Sequence, residues 1–191
     1  MGIFRQLFFR LFLLISGCSR DLVLNTRSNV LENCYGNPIL WKEYPVLVTI
    51  DSSLSLEEKN NIINSINSWN LIAENEIFIY DFGPNSVGTG VWISNCNLEI
   101  SESGTQTLGR INRFFDLDLS GQPIHIKYAN ICILDNLDSN YWNVVIFHEL
   151  GHALSLNHDL NSNSVMYLYA IHEEQIIEEQ DILFVRNLIN L

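Results

Sequence analysis

Three of the chain's five histidines, His148, His152 and His158, fall within the run FHELGHALSLNHD. This spacing constrains the fold more than any other feature. Residues four apart leave one face of a helix about one turn apart. His148 and His152 can therefore grip one metal ion, with zinc–nitrogen bonds of about 2.0–2.1 Å. Glu149 points to a neighbouring face, poorly placed as a ligand but close enough to serve a metal-activated water as general base. A catalytic zinc usually has three protein ligands and one open position. His158, six residues past His152, cannot share the helical face. To make it the third ligand, the helix must end near residue 155 and the chain must turn back under the metal. Met166, the only methionine besides Met1, follows a few residues later.

The segment H-E-L-G-H-A-L-S-L-N-H-D resembles the zinc signature of the metzincin metallopeptidases, and Asp159 makes it most similar to their matrixin branch. Ser164-Val165-Met166-Tyr167-Leu168-Tyr169 is similar to that branch's Met-turn, and Gln180-Asp181-Ile182 to the start of its last helix. The resemblance spans residues 41–191 as a zinc metallopeptidase catalytic domain. It implies an α+β fold: a mixed, mostly parallel five-stranded sheet with three helices, the active-site helix followed by a Met-turn. It also implies zinc on His148, His152 and His158, Glu149 as base, Met166 beneath the site and Tyr169 in the wall of a specificity pocket. A protein or peptide substrate is expected to lie extended along an exposed edge strand, read here as residues 107–114. Two positions depart from the pattern. Ser155 stands where the family has Gly, at a bend suited to φ > 0. A left-handed Ser costs about 1 kcal/mol, so a strained but formed turn is expected. Leu168 replaces a Pro, which loosens the pocket wall.

The rest of the chain is consistent with such a domain. Residues 44–50 (YPVLVTI) read as a strand. Ser55 with Glu58 forms a capping box, ahead of a helical stripe of Ile62, Ile63, Ile66, Trp69 and Ala73. Further strands are read at 76–82, 90–94, 107–115 and 124–134. Helices are read at 142–154 and 178–191. That order makes one mixed sheet with helices packed on it. With 47% hydrophobic and 17% charged residues in 191, a single core is expected.

The N-terminus reads as an address. Arg5 and Arg10, an apolar LFLLI and small residues before Cys18 have the layout of a secretory signal. Ile15-Ser16-Gly17-Cys18 resembles a bacterial lipobox, which implies a signal peptide at 1–17 and lipidation of Cys18. The alternative is a buried helix with an incidental cysteine. Residues 18–40 read as a tether or N-terminal segment. The expected location is exported and lipid-anchored, at a bacterial membrane or cell surface. Cys34, Cys96 and Cys132 permit three single pairings, or a loose resemblance of the Cys34 segment to a zinc-blocking cysteine switch. A net charge of −12 offers no positive footprint for nucleic acid, and a monomer is expected. Asp135, Asn136 and Asp138 are either calcium-binding oxygens or turn formers. Glu173 or Glu174 is a rival third metal ligand. His125 and His172 read as ordinary histidines.

The function expected is therefore a zinc-dependent endopeptidase. Two alternatives stand beside it: a non-catalytic zinc-containing surface lipoprotein that binds a partner, and a zinc hydrolase of a non-peptide amide.

Overall fold

A computed structural model describes residues 30–33, 36–84, 88–98, 106–168 and 175–188. The elements run β1 (Leu40–Trp41), β2 (Val46–Asp51), α1 (Leu56–Ala73), β3 (Phe78–Gly83), β4 (Gly90–Cys96), β5 (Gly109–Leu117), β6 (Pro123–Leu134), α2 (Ser139–Ala153) and α3 (Glu179–Asn187). The fold is α+β, with a mostly parallel sheet and three helices among the described residues. Every element read from the sequence is present, with ends shifted by a few residues.

Six strands pair where five were expected. The additional one, β1, is only two residues long. His125 and Ile126 of β6 pair with Leu40 and Trp41 on one edge and with Asp116 and Phe115 on the other. Further along, β6 pairs with β4 in parallel and with β5 antiparallel. Strands β1 and β4 therefore lie end to end along one edge of β6, and the sheet is five strands wide. β2 and β3 extend it in parallel beyond β4. β5 is the antiparallel edge, and no strand among the described residues pairs with its far side.

Helix α1 begins as its sequence dictates. Ser55 Oγ accepts from Glu58 N at 3.2 Å, and Glu58 Oε2 accepts from Ser55 N at 2.7 Å. This reciprocal pair satisfies two of the donors a helix start leaves open. Ile62, Ile66, Trp69 and Ala73 are buried on one face, with Ile63 packed beside them. Trp69 carries that face onto α2. Its ring stacks on Phe147 at a centroid distance of 4.5 Å, and its Nε1 donates to Phe147 O at 3.0 Å. The indole thus buries a large apolar area and still satisfies its donor, which fixes α2 against α1.

Cys96 on β4 and Cys132 on β6 form a disulfide, which settles one of the pairings left open by the sequence. Cys34 lies outside the described residues, as do residues 1–29. The described part of the segment read as a tether is built into the domain: Leu31 N donates to Ser155 O at 2.6 Å, and Ile39 N to Leu31 O at 2.9 Å. No described helix is long and apolar enough to cross a membrane.

The Cys96–Cys132 bond joins residues 36 apart in sequence, a loop whose closure removes about 3–4 kcal/mol of unfolded-chain entropy. Urea unfolding of the Cys96→Ser/Cys132→Ser double variant should show a stability loss of that order. A midpoint that does not move would mean the bond contributes nothing.

Candidate metal centre

Helix α2 is apolar enough to be buried on most sides, and the side chains that make chemistry leave it within one turn. His148 is half-buried, His152 buried and His158 exposed. Ring centroids are 4.5 Å apart for His148 and His152, 4.6 Å for His152 and His158, and 5.3 Å for His148 and His158. One nitrogen from each ring lies within 4.8 Å of the other two. The structure thus brings together all three sequence-predicted ligands.

Backbone carbonyls orient two of the rings. Nδ1 of His148 lies 2.6 Å from Val165 O, and Nδ1 of His152 lies 2.7 Å from Leu156 O. A carbonyl only accepts, so each Nδ1 carries the proton and each Nε2 presents its lone pair. Burial, the larger cause, pushes His148 down to about 4 and His152 well below its ordinary value. Burial and the Arg113 charge lower His158 as well. Three neutral imidazoles are the donor set zinc takes. Two zinc–nitrogen bonds at a tetrahedral angle set their nitrogens about 3.3 Å apart, and His152 Nε2 lies 3.1 Å from His158 Nε2. The residues fit a zinc ion.

The chain reverses after α2 through a left-handed residue. Ser155 has φ 72 and is fully buried. Ser155 N donates to His152 O at 3.0 Å, and Leu156 N to Gly151 O at 3.1 Å. This is the Schellman pattern of a helix ended by a left-handed residue. The carbonyls that α2 leaves open all find partners. Leu150 O accepts from Leu154 N at 3.1 Å, and Ala153 O accepts from Trp41 Nε1 at 2.7 Å. The Ser155 hydroxyl donates to Ile39 O, a buried bond that glycine cannot make. The residue that departs from the family pattern is thus held by the N-terminal segment.

The Met-turn closes the site from below. Met166 is fully buried. Gly151 makes room for it, because a Cβ there would meet Met166 Sδ at 2.5 Å and Trp69 Cζ2 at 3.1 Å. Val165 O holds His148 on one side, and Met166 O accepts from Asp159 N at 2.8 Å on the other. The turn therefore ties the first ligand to the segment that carries the third.

Glu149 is 5% exposed, and its Oε2 is buried without a hydrogen-bond partner. Burial pushes its pKa up to about 8, and the Arg113 charge opposes that rise. Sequence reading passed over Arg113, Gly109 and Gly151. Arg113 had a signal: in a strand it shares parity with Ile111 and Phe115, so a charge stands on an apolar face. Tyr169, His172, Glu173, Glu174 and Cys18 lie outside the described residues, and Leu168 is exposed. His125, on β6, is not part of the triad. Asp135 and Asn136 form the turn before α2, with Asn136 at φ 59.

Replacing Ser155 separates strain from hydrogen bonding. Ser155→Ala keeps the left-handed cost and leaves Ile39 O unpaired, so urea unfolding should show a loss of about 1–3 kcal/mol. Ser155→Gly loses the same bond but relieves about 1 kcal/mol of strain, and should be the milder change. A glycine variant more stable than the parent would show that the hydroxyl bond contributes little.

The matrixin family model matches residues 64–189. No curated protein matches the chain.

Proposed function

This chain belongs to the matrixin family of metallopeptidases, and from that membership and the geometry of its site we infer that it is a zinc-dependent endopeptidase. The observation that carries the reading is the carboxylate of Glu149, next in the chain to the first of three clustered imidazoles and buried with one oxygen unpartnered. A module that only bound metal or a partner would have no use for that carboxylate, whose burial is costly. Adjacent in the chain to the first ligand, it serves as a base once a nearby cation favours its charged form.

His148, His152 and His158 would hold the zinc. When bound, zinc supplies a Lewis acid that acidifies a water and polarises the scissile carbonyl. Glu149 takes the proton from the attacking water and returns it to the leaving amine. Its high apo pKa follows from burial alone, and a nearby cation favours the charged form that a base needs. Met166 and Gly151 keep the floor of the site packed. The substrate is a protein or peptide lying extended along the free edge of β5, pairing backbone to backbone. Tyr169 borders the pocket for one substrate side chain. We propose as well that the N-terminal segment is an export signal and that Cys18 carries a lipid, which supports an enzyme outside the cytoplasm.

Peptide or casein cleavage by the zinc-loaded chain tests the chemistry. Glu149→Ala should retain one zinc per chain and lose a factor of about 10²–10⁴ in kcat, the usual worth of a general base. A chelator should abolish cleavage, and added zinc should restore it. Full activity in Glu149→Ala would sink the assignment of the base.

The tether has its own test. Cys18→Ser should move the expressed protein from the membrane fraction to the soluble exported fraction. If its distribution does not change, Cys18 is not the anchor.

A further inference from the structure

Strand β5 lies along α2 through its inward-facing residues. Gly109, Ile111 and Arg113 alternate with the exposed Arg110, Asn112 and Phe114. At the start of the strand, a Cβ on Gly109 would meet Val145 Cγ1 at 2.6 Å, Glu149 Oε1 at 2.8 Å and Glu149 Cγ at 3.0 Å. The backbone of β5 therefore rests directly on the base. Four residues on, Arg113 Nη1 donates to His152 O at 3.1 Å. One strand thus touches α2 at two places, beside the base and at a ligand.

Arg113 is an expensive way to make the second contact. Burial lowers its pKa, opposed by the Glu149 charge, and no carboxylate among the described residues forms an ion pair with it. Nor does the helix end require it, because His152 O already accepts from Ser155 N at 3.0 Å. A half-buried guanidinium that makes no ion pair among the described residues, on a carbonyl that is already satisfied, calls for another role.

We propose that Arg113 is a positioning residue that keys the edge strand to the ligand helix. Its bond to His152 O, with Gly109 seated on Glu149, sets the height of β5 along α2. A peptide paired on the free edge of β5 is then delivered with its scissile bond at the base and the three imidazoles. This rests on the endopeptidase reading above. It explains why the strand presents glycine and arginine inward, four residues apart, where an ordinary edge strand would present apolar side chains. The flanking register with β6 is regular from Gly109 to Phe114 and shifts only after it, so the keyed stretch is also the straight one.

The experiment compares the full chain with Arg113→Met and Arg113→Lys, reading kcat, KM, zinc per chain and amide hydrogen exchange. A displacement of about 1 Å at a reacting bond costs about 100-fold. Arg113→Met should therefore lose about that much in kcat, with KM little changed and one zinc retained. Arg113→Lys, which keeps a donor and the charge, should recover most of the loss. In Arg113→Met, the β5 amides bonded to β6 should exchange about tenfold faster than in the parent while α1 is unaffected. An unchanged kcat overturns the proposal. So does a loss of activity in step with lost zinc, which is what a merely structural role gives. If the parent chain cleaves no peptide, the endopeptidase reading has failed separately, and exchange alone judges the keying. Unaltered exchange at β5 in Arg113→Met then overturns it too.

Discussion

The last turn of α2 must stop within three residues of His152 and send the chain back beneath it, and the rest of the site depends on that reversal. A helix leaves its final carbonyls without partners, and here they are buried. Each is paired: by the left-handed turn at Ser155, by the Trp41 indole, and by the Arg113 guanidinium in addition to Ser155 N. Because the turn closes, Leu156 O comes to Nδ1 of His152, and the chain is placed to bring His158 Nε2 within 3.1 Å of His152 Nε2. The helix stop and the metal geometry are one structure.

The reversal draws on segments distant in sequence. Leu31 and Ile39 bond to Ser155 from the N-terminal side, and Trp41 reaches Ala153 from β1. The left-handed serine costs about as much as one hydrogen bond contributes, so the Ile39 bond is enough to offset it. From the other side the Met-turn holds His148 through Val165 O and the His158 segment through Asp159 N. Three stretches of chain thus converge to hold three rings, and burial favours the neutral form of His148 and His152. The same burial raises Glu149 and leaves its oxygen unpartnered. Burial therefore favours neutral donors for a cation, and it leaves the charged form of Glu149 to be favoured by a cation nearby.

Much of this was legible beforehand where the physics is local. The capping box at Ser55 and Glu58 names a helix start because both partners lie within four residues. Period-two runs name strands because alternate side chains face opposite sides of a sheet. The two-residue β1 was missed, since a bridge of that length has no periodicity of its own and exists only because β6 passes beside it. The Cys96–Cys132 pairing stayed open for the same reason: it depends on β4 and β6 becoming neighbours. Arg113 left a trace as a charge on an apolar parity, but what it bonds to could not be read from a strand alone.

The sequence by itself determined that His148 and His152 share a face and that His158 can join them only through a chain reversal, because residues four apart on a helix have no freedom to lie anywhere but on one face. The family resemblance also implied that Ser155 would sit in an unfavourable conformation, since it stands where the family has Gly at a bend suited to φ > 0. Only the tertiary structure decided what holds that residue there, which carbonyls orient the imidazoles, and which strand lies against Glu149. Those are contacts between distant positions, such as Ser155 and Ile39, 116 residues apart. Their partners are chosen by packing, which no local pattern encodes.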